Sequence, residues 1–387
     1  MKIYIIGQKG LPAHGGGVET HVENLATQLV NNGHEVFAYT RRNYTSKNFT
    51  EFMGVKLISL PSIPTKNLDA ISHTFFSVLD FIFRRRKADV IHFHSIGPAS
   101  LIWLVKIFRP RVKVVFTFHS QCYLNSKWGK FAKFYLSLGE RIGCQMADEL
   151  ITVSKNLKKY VEEKYNRQAI YIPNGVNTNE KLAAEEIKEK WGLEKNSYIL
   201  SVSRLVKRKG LEYLISAYNQ INTNKKLVIV GDGDFSENLK DLAKGNSNII
   251  FTGSQSGKTL QELYSNASLF VQASEAEGLS IALLEAASYQ LAILTSDIEA
   301  NLEVLGEDAF SFTSKSIVDL KEKLNLFLND ANTREKLDVN IKKVYNKMLH
   351  EYNWSNISQE TISLYQGKQF EAVKKIASVD GSYGSVI

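Results

Sequence analysis

Short apolar runs rich in β-branched residues alternate with longer amphipathic segments along most of this 387-residue chain. Because parallel strands are joined by crossovers that contain a helix, this alternation predicts an α/β protein with parallel sheets covered on both faces. Ligands of such sheets bind beyond the carboxyl ends of the strands, so the loops after the strands are the first places to search. The predicted strands cover residues 2–6, 36–40, 55–60, 90–94, 114–119, 198–204, 227–230, 267–273 and 292–295. The predicted helices cover residues 19–31, 71–83, 281–289, 317–328, 333–352 and 357–365, and another begins at residue 211.

The length suits two domains of ordinary size, and the charge divides the chain in the same way. Residues 1–172 carry 24 Lys and Arg against 12 Asp and Glu, whereas the remainder carries 24 against 28. All six prolines also lie at or before Pro173. We therefore expect a first domain over 1–172, a second over 173–353, and a terminal helix with a loose tail over 354–387. The basic first domain favours an anionic partner.

Several classes of protein are disfavoured by the sequence. No apolar stretch reaches the roughly 18 residues of a membrane-spanning helix, and the opening MKIYIIGQKG is a strand before a polar turn rather than a signal peptide. Cys122 and Cys144 lack metal-ligand spacing. The sequence is basic but contains no motif typical of nucleic-acid-binding proteins, so this class is disfavoured. We expect a cytoplasmic protein without bound nucleic acid, and the sequence carries no signal for an oligomeric state.

Residues 275–290, EAEGLSIALLEAASYQ, join a predicted strand to a predicted helix, with Gly278 between them. The N-terminus of such a helix presents unpaired N–H groups and a positive dipole end, which suit a phosphate. Glu285, about one turn into the helix, can accept hydrogen bonds from neighbouring hydroxyls. Glutamates at this spacing are common, so the pattern alone leaves a purely structural role open.

Arg204 and Lys209 bracket the loop after the first strand of the second half. Two fixed cations there can neutralise a diphosphate without a metal ion. A basic loop of this kind is also often only solvated.

The loop over residues 7–17, GQKGLPAHGGG, follows the first strand, and its glycines allow close approach of the backbone to a ligand. Its spacing is not that of the dinucleotide fingerprint, and an empty turn is the alternative. His119 ends a predicted strand, where a satisfied polar residue is the common case. His92 and His94 alternate onto one face of a strand without an evident third ligand, which favours a structural role over a metal site.

Two other patterns mimic known sites. Asp232 and Asp234 have the form of a metal-binding DxD motif, but they follow a strand and fit a structural turn. Residues 253–259, GSQSGKT, resemble a phosphate loop with the wrong spacing.

Residues 75–87, FFSVLDFIFRRRK, and 128–135, WGKFAKFY, mix aromatic and basic side chains. Such stretches are typical of surfaces that lie on an anionic membrane. Inward-packed aromatics with solvated charges are the equal alternative.

Five phrases in order resemble the family 4 glycosyltransferases, retaining enzymes of the GT-B fold. They are GGGVETHVENLATQLVNNGHEV, IYIPNGV, SRLVKRKG, the FTG turn and EGLSIALLEA, and the resemblance covers roughly residues 1–365. The sequence departs from the family at Leu279 and Ser280, where an aromatic residue and a glycine are frequent, and at Asn177, which replaces an aspartate. Ser120 follows His119 where the family often has Asp.

The resemblance implies two Rossmann-like domains facing a central cleft, with a terminal helix that crosses back to the first domain. It assigns the diphosphate to Arg204 and Lys209 and the ribose to Glu285. It assigns sugar hydroxyls to Glu277 and to His119. It also implies donor contacts by further residues: Gly16, Gly17, Gln255 near the base, Gly278, Leu279, Ser280 and Ile281.

The implied reaction is retaining transfer of a hexose from a nucleotide-diphosphate sugar to an acceptor hydroxyl, with no metal and no cofactor beyond the donor. The basic aromatic surface suggests a lipid-linked saccharide acceptor, as in bacterial surface polysaccharide assembly, and peripheral attachment to the inner face of the cell membrane. The alternatives are a soluble acceptor, a sugar-nucleotide epimerase of the same fold, and a non-catalytic subunit that binds sugar nucleotides. The nucleotide and the sugar stay open.

Overall fold

The computed structural model describes residues 1–13, 15–65, 68–85, 87–124, 128–178 and 180–368. Arg86, Lys127 and the expected tail over 370–387 lie outside these residues. The described chain forms two sheets, each covered by helices on both faces. The first sheet lies within residues 2–171 and the second within 198–312.

The first sheet has eight strands in the order β3-β4-β2-β1-β5-β6-β7-β8, parallel except for the β3–β4 pair. Its strands are β1 (Lys2–Ile6), β2 (Glu35–Arg41), β3 (Glu51–Phe52), β4 (Val55–Leu60), β5 (Val90–His94), β6 (Lys113–Phe118), β7 (Glu149–Thr152) and β8 (Ile170–Tyr171). Its helices are α1 (Gly17–Asn31), α2 (Asp69–Arg84), α3 (Ile96–Ala99), α4 (Ile102–Phe108), α5 (Lys130–Met146) and α6 (Lys155–Tyr165). We call this part the first lobe.

The second sheet has six parallel strands in the order β11-β10-β9-β12-β13-β14. Its strands are β9 (Tyr198–Val202), β10 (Lys226–Val230), β11 (Ile249–Gly253), β12 (Leu269–Gln272), β13 (Ile293–Ser296) and β14 (Ser311–Phe312). The helices are α7 (Glu186–Trp191), α8 (Leu211–Tyr218), α9 (Ser236–Leu242), α10 (Gly257–Asn266), α11 (Ile281–Ser288), α12 (Glu299–Leu305), α13 (Ile317–Asn329), α14 (Ala331–Glu351) and α15 (Trp354–Tyr365). We call the part up to α14 the second lobe.

Both sheets are doubly wound, with two short extra strands on the first. In each sheet the first strand lies in the middle, and the chain winds outward from it first to one side and then to the other. The reversal falls between β1 and β5 in the first lobe and between β9 and β12 in the second. Such a switch point opens a crevice beyond the strand ends, where the ligands of doubly wound sheets bind. This architecture is two Rossmann-like lobes, as expected from the sequence.

Burial on both faces explains why the strand sequences are short continuous apolar runs rather than alternating apolar and polar residues. The five residues of β5 are all buried, and so are the four of β12, because helices cover both faces. Two predicted strands end earlier than expected. His119 lies one residue beyond β6, and Arg204 lies two residues beyond β9.

Helix α15 packs against α1 of the first lobe, after the chain has left the second lobe. Its Tyr365 hydroxyl lies 2.7 Å from His92 Nδ1 on β5. Two crossings therefore join the lobes, and they run side by side: Val176 pairs with Asn353 in a parallel bridge.

Helix α5 contains most of the second aromatic and basic stretch, residues 128–135, for which the sequence left a membrane-facing surface and inward-packed aromatics as alternatives. Gly139 and Gly143 let it approach the protein core closely. A Cβ on Gly139 would lie 2.1 Å from the Ile96 carbonyl oxygen, and one on Gly143 would lie 2.6 Å from the Phe116 ring. The side chains on the opposite face of the helix are consequently left outside.

Candidate active site

The candidate site lies between the switch points of the two sheets. From the first lobe come the loop after β1, the start of α1 and His119 after β6. From the second lobe come the basic loop after β9 and residues 277–280 between β12 and α11. We call residues 277–280 the donor loop, after the role that the family resemblance implies for them.

Glu277 is the centre of the second-lobe part of the site. Its Oε1 accepts hydrogen bonds from Ser274 Oγ at 2.6 Å and from Gln272 Nε2 at 3.1 Å. The Lys209 ammonium forms an ion pair with the same oxygen. Burial raises the pKa of Glu277, but the charges of Lys209 and Arg208 outweigh it and leave the pKa below the ordinary value. The structure thus brings Lys209 and Glu277 together as a buried, charged pair.

The basic loop after β9 supplies more cations than the sequence analysis selected. Lys207, Arg208 and Lys209 form a single 3₁₀ turn that leads into α8. Arg208 is half-buried, and its Nε has no hydrogen-bond partner among the described residues. Arg204 is exposed at the strand end. The loop therefore concentrates positive charge beside the donor loop.

Ser280 is the N-cap of helix α11, which directly follows the donor loop. Its Oγ accepts from the Leu283 N–H at 3.3 Å and from Gln272 Nε2 at 2.9 Å. Gln272 thereby links the Ser280 cap to the Glu277 carboxylate. The N-terminus of α11, at Ile281, faces the site with its dipole.

Glu285 lies one turn into α11, where the sequence placed it. Its Oε2 accepts from the Tyr264 hydroxyl at 2.8 Å, and the Tyr264 ring stacks on Tyr289 with centroids 5.5 Å apart. Burial raises the pKa of Glu285 to about 7, against a smaller opposing effect of the Tyr264 hydrogen bond. The pKa of Glu285 therefore lies close to neutral pH, where the carboxyl group exchanges between its neutral and ionised forms.

Helix α1 begins opposite α11. Gly16 takes φ 106° as its N-cap, a conformation that favours glycine, and no side chain caps the helix. A Cβ on Gly17 would lie 3.7 Å from Ile281 Cδ1. The N-termini of α1 and α11, one from each lobe, therefore meet across the cleft, and both favour an anion there.

Gly278 provides a close contact between the lobes. A Cβ at this position would lie 1.9 Å from the carbonyl oxygen of His119 and 3.5 Å from Leu157 Cδ1. The donor loop consequently rests directly on the backbone of His119, as only a glycine permits.

Four buried histidines lie together in the first lobe. His94 Nδ1 and His119 Nε2 lie 3.0 Å apart, and the His21 ring stands against both. His92 is bound to the Thr117 and Tyr365 hydroxyls. Burial lowers the pKa of His21 to about 4 and the pKa values of the other three well below the usual value. Burial thus disfavours the charged form of all four rings.

A histidine group of a different composition lies beside the pair His92 and His94. His21, His94 and His119 place one ligand atom each within 4.8 Å of one another, and His92 is not part of this group. Local alternation along β5 cannot show residues that α1 and β6 bring in. In the present geometry His94 and His119 are hydrogen-bonded to each other, and His21 Nδ1 is bound to Asn174. Asp232, in the other suspected metal motif, accepts the Gly233 N–H at 2.7 Å, in a turn.

Gln255 lies apart from this cluster. It follows β11 at the outer edge of the second sheet, and its Nε2 donates to the Thr252 carbonyl at 2.7 Å.

The sequence analysis missed several residues of the site: His21, Arg208, Tyr264, Gln272 and Asn174. His21, Arg208 and Asn174 stand inside the quoted phrases GGGVETHVENLATQLVNNGHEV, SRLVKRKG and IYIPNGV, which was the available signal.

The helices α2, α4 and α5 lie side by side on one face of the first sheet and carry an exposed apolar surface, here called the apolar face. Phe83, Phe131 and Phe134 are 68%, 79% and 68% exposed. The face continues over Phe75, Phe76, Trp103, Ile107 and Phe108 and is bordered by the exposed Arg84, Arg111, Lys130, Lys133 and Arg141. No helix in the described part of the chain is long and apolar enough to cross a membrane.

The aromatic side chains of this face point outward. Arg84 and Arg85, by contrast, are less available to an external partner than the sequence suggested. Arg85 Nε donates to the buried Asp80 at 2.8 Å, and Arg84 Nη1 lies 3.6 Å from the same carboxylate.

Comparison with known proteins places this architecture in a family. Residues 15–180 match the family described as Glycosyltransferase Family 4, and residues 183–344 match Glycosyl transferases group 1. An uncharacterised glycosyltransferase of Methanocaldococcus jannaschii is 31% identical over 95% of this chain and 98% of its own. The chain is a family 4 glycosyltransferase.

Two further similarities extend the comparison. An O-antigen biosynthesis glycosyltransferase of Escherichia coli is 22% identical to this glycosyltransferase over 69% of the chain and 81% of its own length. The crystal structure of Anabaena HepE in complex with UDP and glucose superposes with a TM-score of 0.77 at 17% identity, over 95% of this chain and 100% of that one. The latter similarity establishes the GT-B fold.

Proposed function

We propose that this glycosyltransferase moves a hexose from a nucleotide-diphosphate sugar to an acceptor hydroxyl with retention of the anomeric configuration. The observation that carries the proposal is the convergence of Lys209, Glu277 and two helix N-termini on one cleft, with the backbone of His119 against Gly278. Cations and helix dipoles suit a diphosphate, and a carboxylate among them suits sugar hydroxyls. The complex of HepE with UDP and glucose supports a donor of this class.

The proposed division of labour follows the charges. Arg204 and Lys209 neutralise the diphosphate, assisted by the amides of Gly16, Gly17 and of the donor loop up to Ile281. Glu277 binds sugar hydroxyls through Oε2, since its Oε1 already accepts from Ser274 and Gln272.

The remaining donor groups are assigned by position. Glu285 binds the ribose, Gln255 lies near the base, and His119 contacts the sugar.

In the proposed reaction the bond between the anomeric carbon and the diphosphate oxygen breaks, and the acceptor oxygen forms the new bond on the same face. The acceptor proton passes to the departing phosphate oxygen, so no side chain acts as general base. Stabilising the negative charge that develops on the leaving group is the main electrostatic demand of the reaction, and we assign this task to Lys209. We propose that neither a metal ion nor another cofactor takes part.

We further propose a lipid-linked saccharide as the acceptor, in bacterial surface polysaccharide assembly. The apolar face with its basic border is the support for it, because aromatics with cations suit an anionic bilayer. The similarity to an O-antigen biosynthesis enzyme points the same way. The protein would then be cytoplasmic and peripheral on the inner face of the membrane.

A donor screen tests the proposal. The protein is incubated with individual UDP-, GDP-, ADP- and dTDP-sugars, with and without a membrane lipid extract, and free nucleotide and new products are measured. Acceptor-dependent release from one donor, with the anomeric configuration of the product equal to that of the donor by NMR, is the expected result. An isomerised donor without release would replace the proposal with an epimerase, and binding without turnover in every lipid extract would favour an accessory subunit.

A further inference from the structure

Asn174 lies in the first of the two crossings between the lobes, just after β8. It is 4% exposed, and its neighbour Gly175 packs on the Trp354 ring of the second crossing, where an added Cβ would lie 2.5 Å from the indole. A buried primary amide has two donors and an acceptor to satisfy, so its partners define its role.

Those partners belong to different lobes. Asn174 Nδ2 donates to the Leu279 carbonyl of the donor loop at 3.2 Å, and Asn174 Oδ1 lies 2.9 Å from His21 Nδ1 on α1. A single side chain in the crossing thus connects the helix behind the Gly16–Gly17 turn with the loop that carries Glu277.

The chemistry of the partners fixes the direction of both hydrogen bonds. A carbonyl can only accept, so the Leu279 oxygen must face the amide nitrogen of Asn174. The amide oxygen then faces His21, and His21 Nδ1 must carry the proton. His21 Nε2 is left as a buried lone pair without a partner in the described residues, on the side of His94 and His119.

We propose that Asn174 is a positioning residue that holds the donor loop in register with His119 through this two-sided hydrogen bond. The inference rests on the proposed function, since the donor loop matters because it binds the donor. Gly278 lies against the His119 carbonyl only while the neighbouring Leu279 carbonyl keeps its place. Asn174 itself does not touch the substrate.

The first measurement is amide hydrogen exchange of the peptide over residues 277–283 in the free protein. Asn174→Ala removes both hydrogen bonds. Asn174→Asp keeps the size and the acceptor for His21 but sets an oxygen against the Leu279 carbonyl. Asn177→Ala is the matched control, because Asn177 is an exposed amide of the same crossing that donates to Asn24 at 3.0 Å. We expect faster exchange of the donor loop in both Asn174 variants and wild-type exchange in the control.

The second measurement is donor turnover at a temperature where each variant is folded by circular dichroism. We expect kcat/KM to fall on the order of 10- to 100-fold for the Asn174 variants, because misplacement of a binding loop by a fraction of an ångström to an ångström costs that much. His21→Phe removes the hydrogen bond at the first-lobe end of Asn174 and keeps an aromatic ring against Trp354 of the second crossing. If the two hydrogen bonds act together, the double variant His21→Phe/Asn174→Ala should lose little more than the larger single loss.

The pH profile separates positioning from a general structural defect. The titratable groups that face His21 are His92, His94 and His119, and burial lowers the pKa of each well below the usual value. In Asn174→Asp a carboxylate meets the His21 N–H and favours the imidazolium, which raises the pKa of His21 from about 4. Activity of this variant should therefore fall on the acidic side at a higher pH than in the wild type, and the Asn174→Ala variant should lack that shift.

Failure of this proposal can be distinguished from failure of the proposed function. If the wild type turns over no donor, the proposed function fails, while hydrogen exchange of the donor loop still decides the role of Asn174. Wild-type exchange in folded Asn174 variants, kcat/KM within twofold of the wild type, or additive losses in the double variant would each overturn the proposal. Should Asn174→Ala not fold, the isosteric Asn174→Asp and the His21→Phe variant give the same readouts.

Discussion

Gly278→Ala should inactivate this glycosyltransferase without unfolding it. The added Cβ would lie 1.9 Å from the His119 carbonyl oxygen, whereas ordinary contacts begin at 3.4 Å, so the donor loop must retreat by about 1.5 Å. The clash is with backbone on the far side and cannot be relieved by a rotamer change. A misplacement of about 1 Å can cost about 100-fold in rate, equal to about 2.7 kcal/mol of transition-state stabilisation. We therefore expect kcat/KM to fall by about 100-fold or more.

The assay is release of nucleoside diphosphate from the donor identified by the screen, with the melting temperature measured in parallel. Gly129→Ala is the matched control, because Gly129 has φ −69° and no atom within 4 Å of its would-be Cβ. The control should keep wild-type kinetics. A Gly278→Ala enzyme that retains kcat/KM within threefold of the wild type would refute the claim that this contact sets the working geometry.

Four further predictions concern the charged residues of the site, the apolar face and metal ions. Lys209→Ala should lower kcat/KM by about 10²- to 10³-fold, because it removes a cation from the leaving group; a loss below tenfold in a folded variant contradicts that role. Donor affinity should decline as the pH falls through about 7, since the pKa of Glu285 is raised by burial and the carboxylate accepts more strongly from ribose hydroxyls than the neutral acid does; a Glu285→Gln variant should lose this dependence in a calorimetric titration, and a persistent decline would assign it elsewhere. Phe131→Ser/Phe134→Ser should reduce sedimentation with anionic vesicles, and undiminished binding would exclude this part of the apolar face. Chelation with EDTA should leave turnover unchanged, and loss of activity restored by a divalent metal would refute metal independence.

Much of the fold could be predicted from the sequence, because the signals that matter there are local. A run such as 55–60 is a strand for reasons contained in its own residues, and its observed bounds, Val55–Leu60, agree. Helix α11 begins at Ile281 as expected, after a serine that caps it. The ends of the strands were predicted less accurately. Arg204 was expected at the end of a strand, but it lies in the loop after β9.

The sequence by itself determined which chemical groups this enzyme carries: two basic residues after one strand, two glutamates eight residues apart, glycines before a helix and a histidine after another strand. The tertiary structure decided which of them meet. Lys209 reaches Glu277, and Gly278 reaches His119, across separations of the chain that no periodicity spans. Asn174 is the clearest case. In the sequence it marks a turn, and only folding brings it to a helix 153 residues before it and a loop 105 residues after it. The physical reason is that local pattern specifies elements, while the partners of a buried polar group depend on how those elements pack.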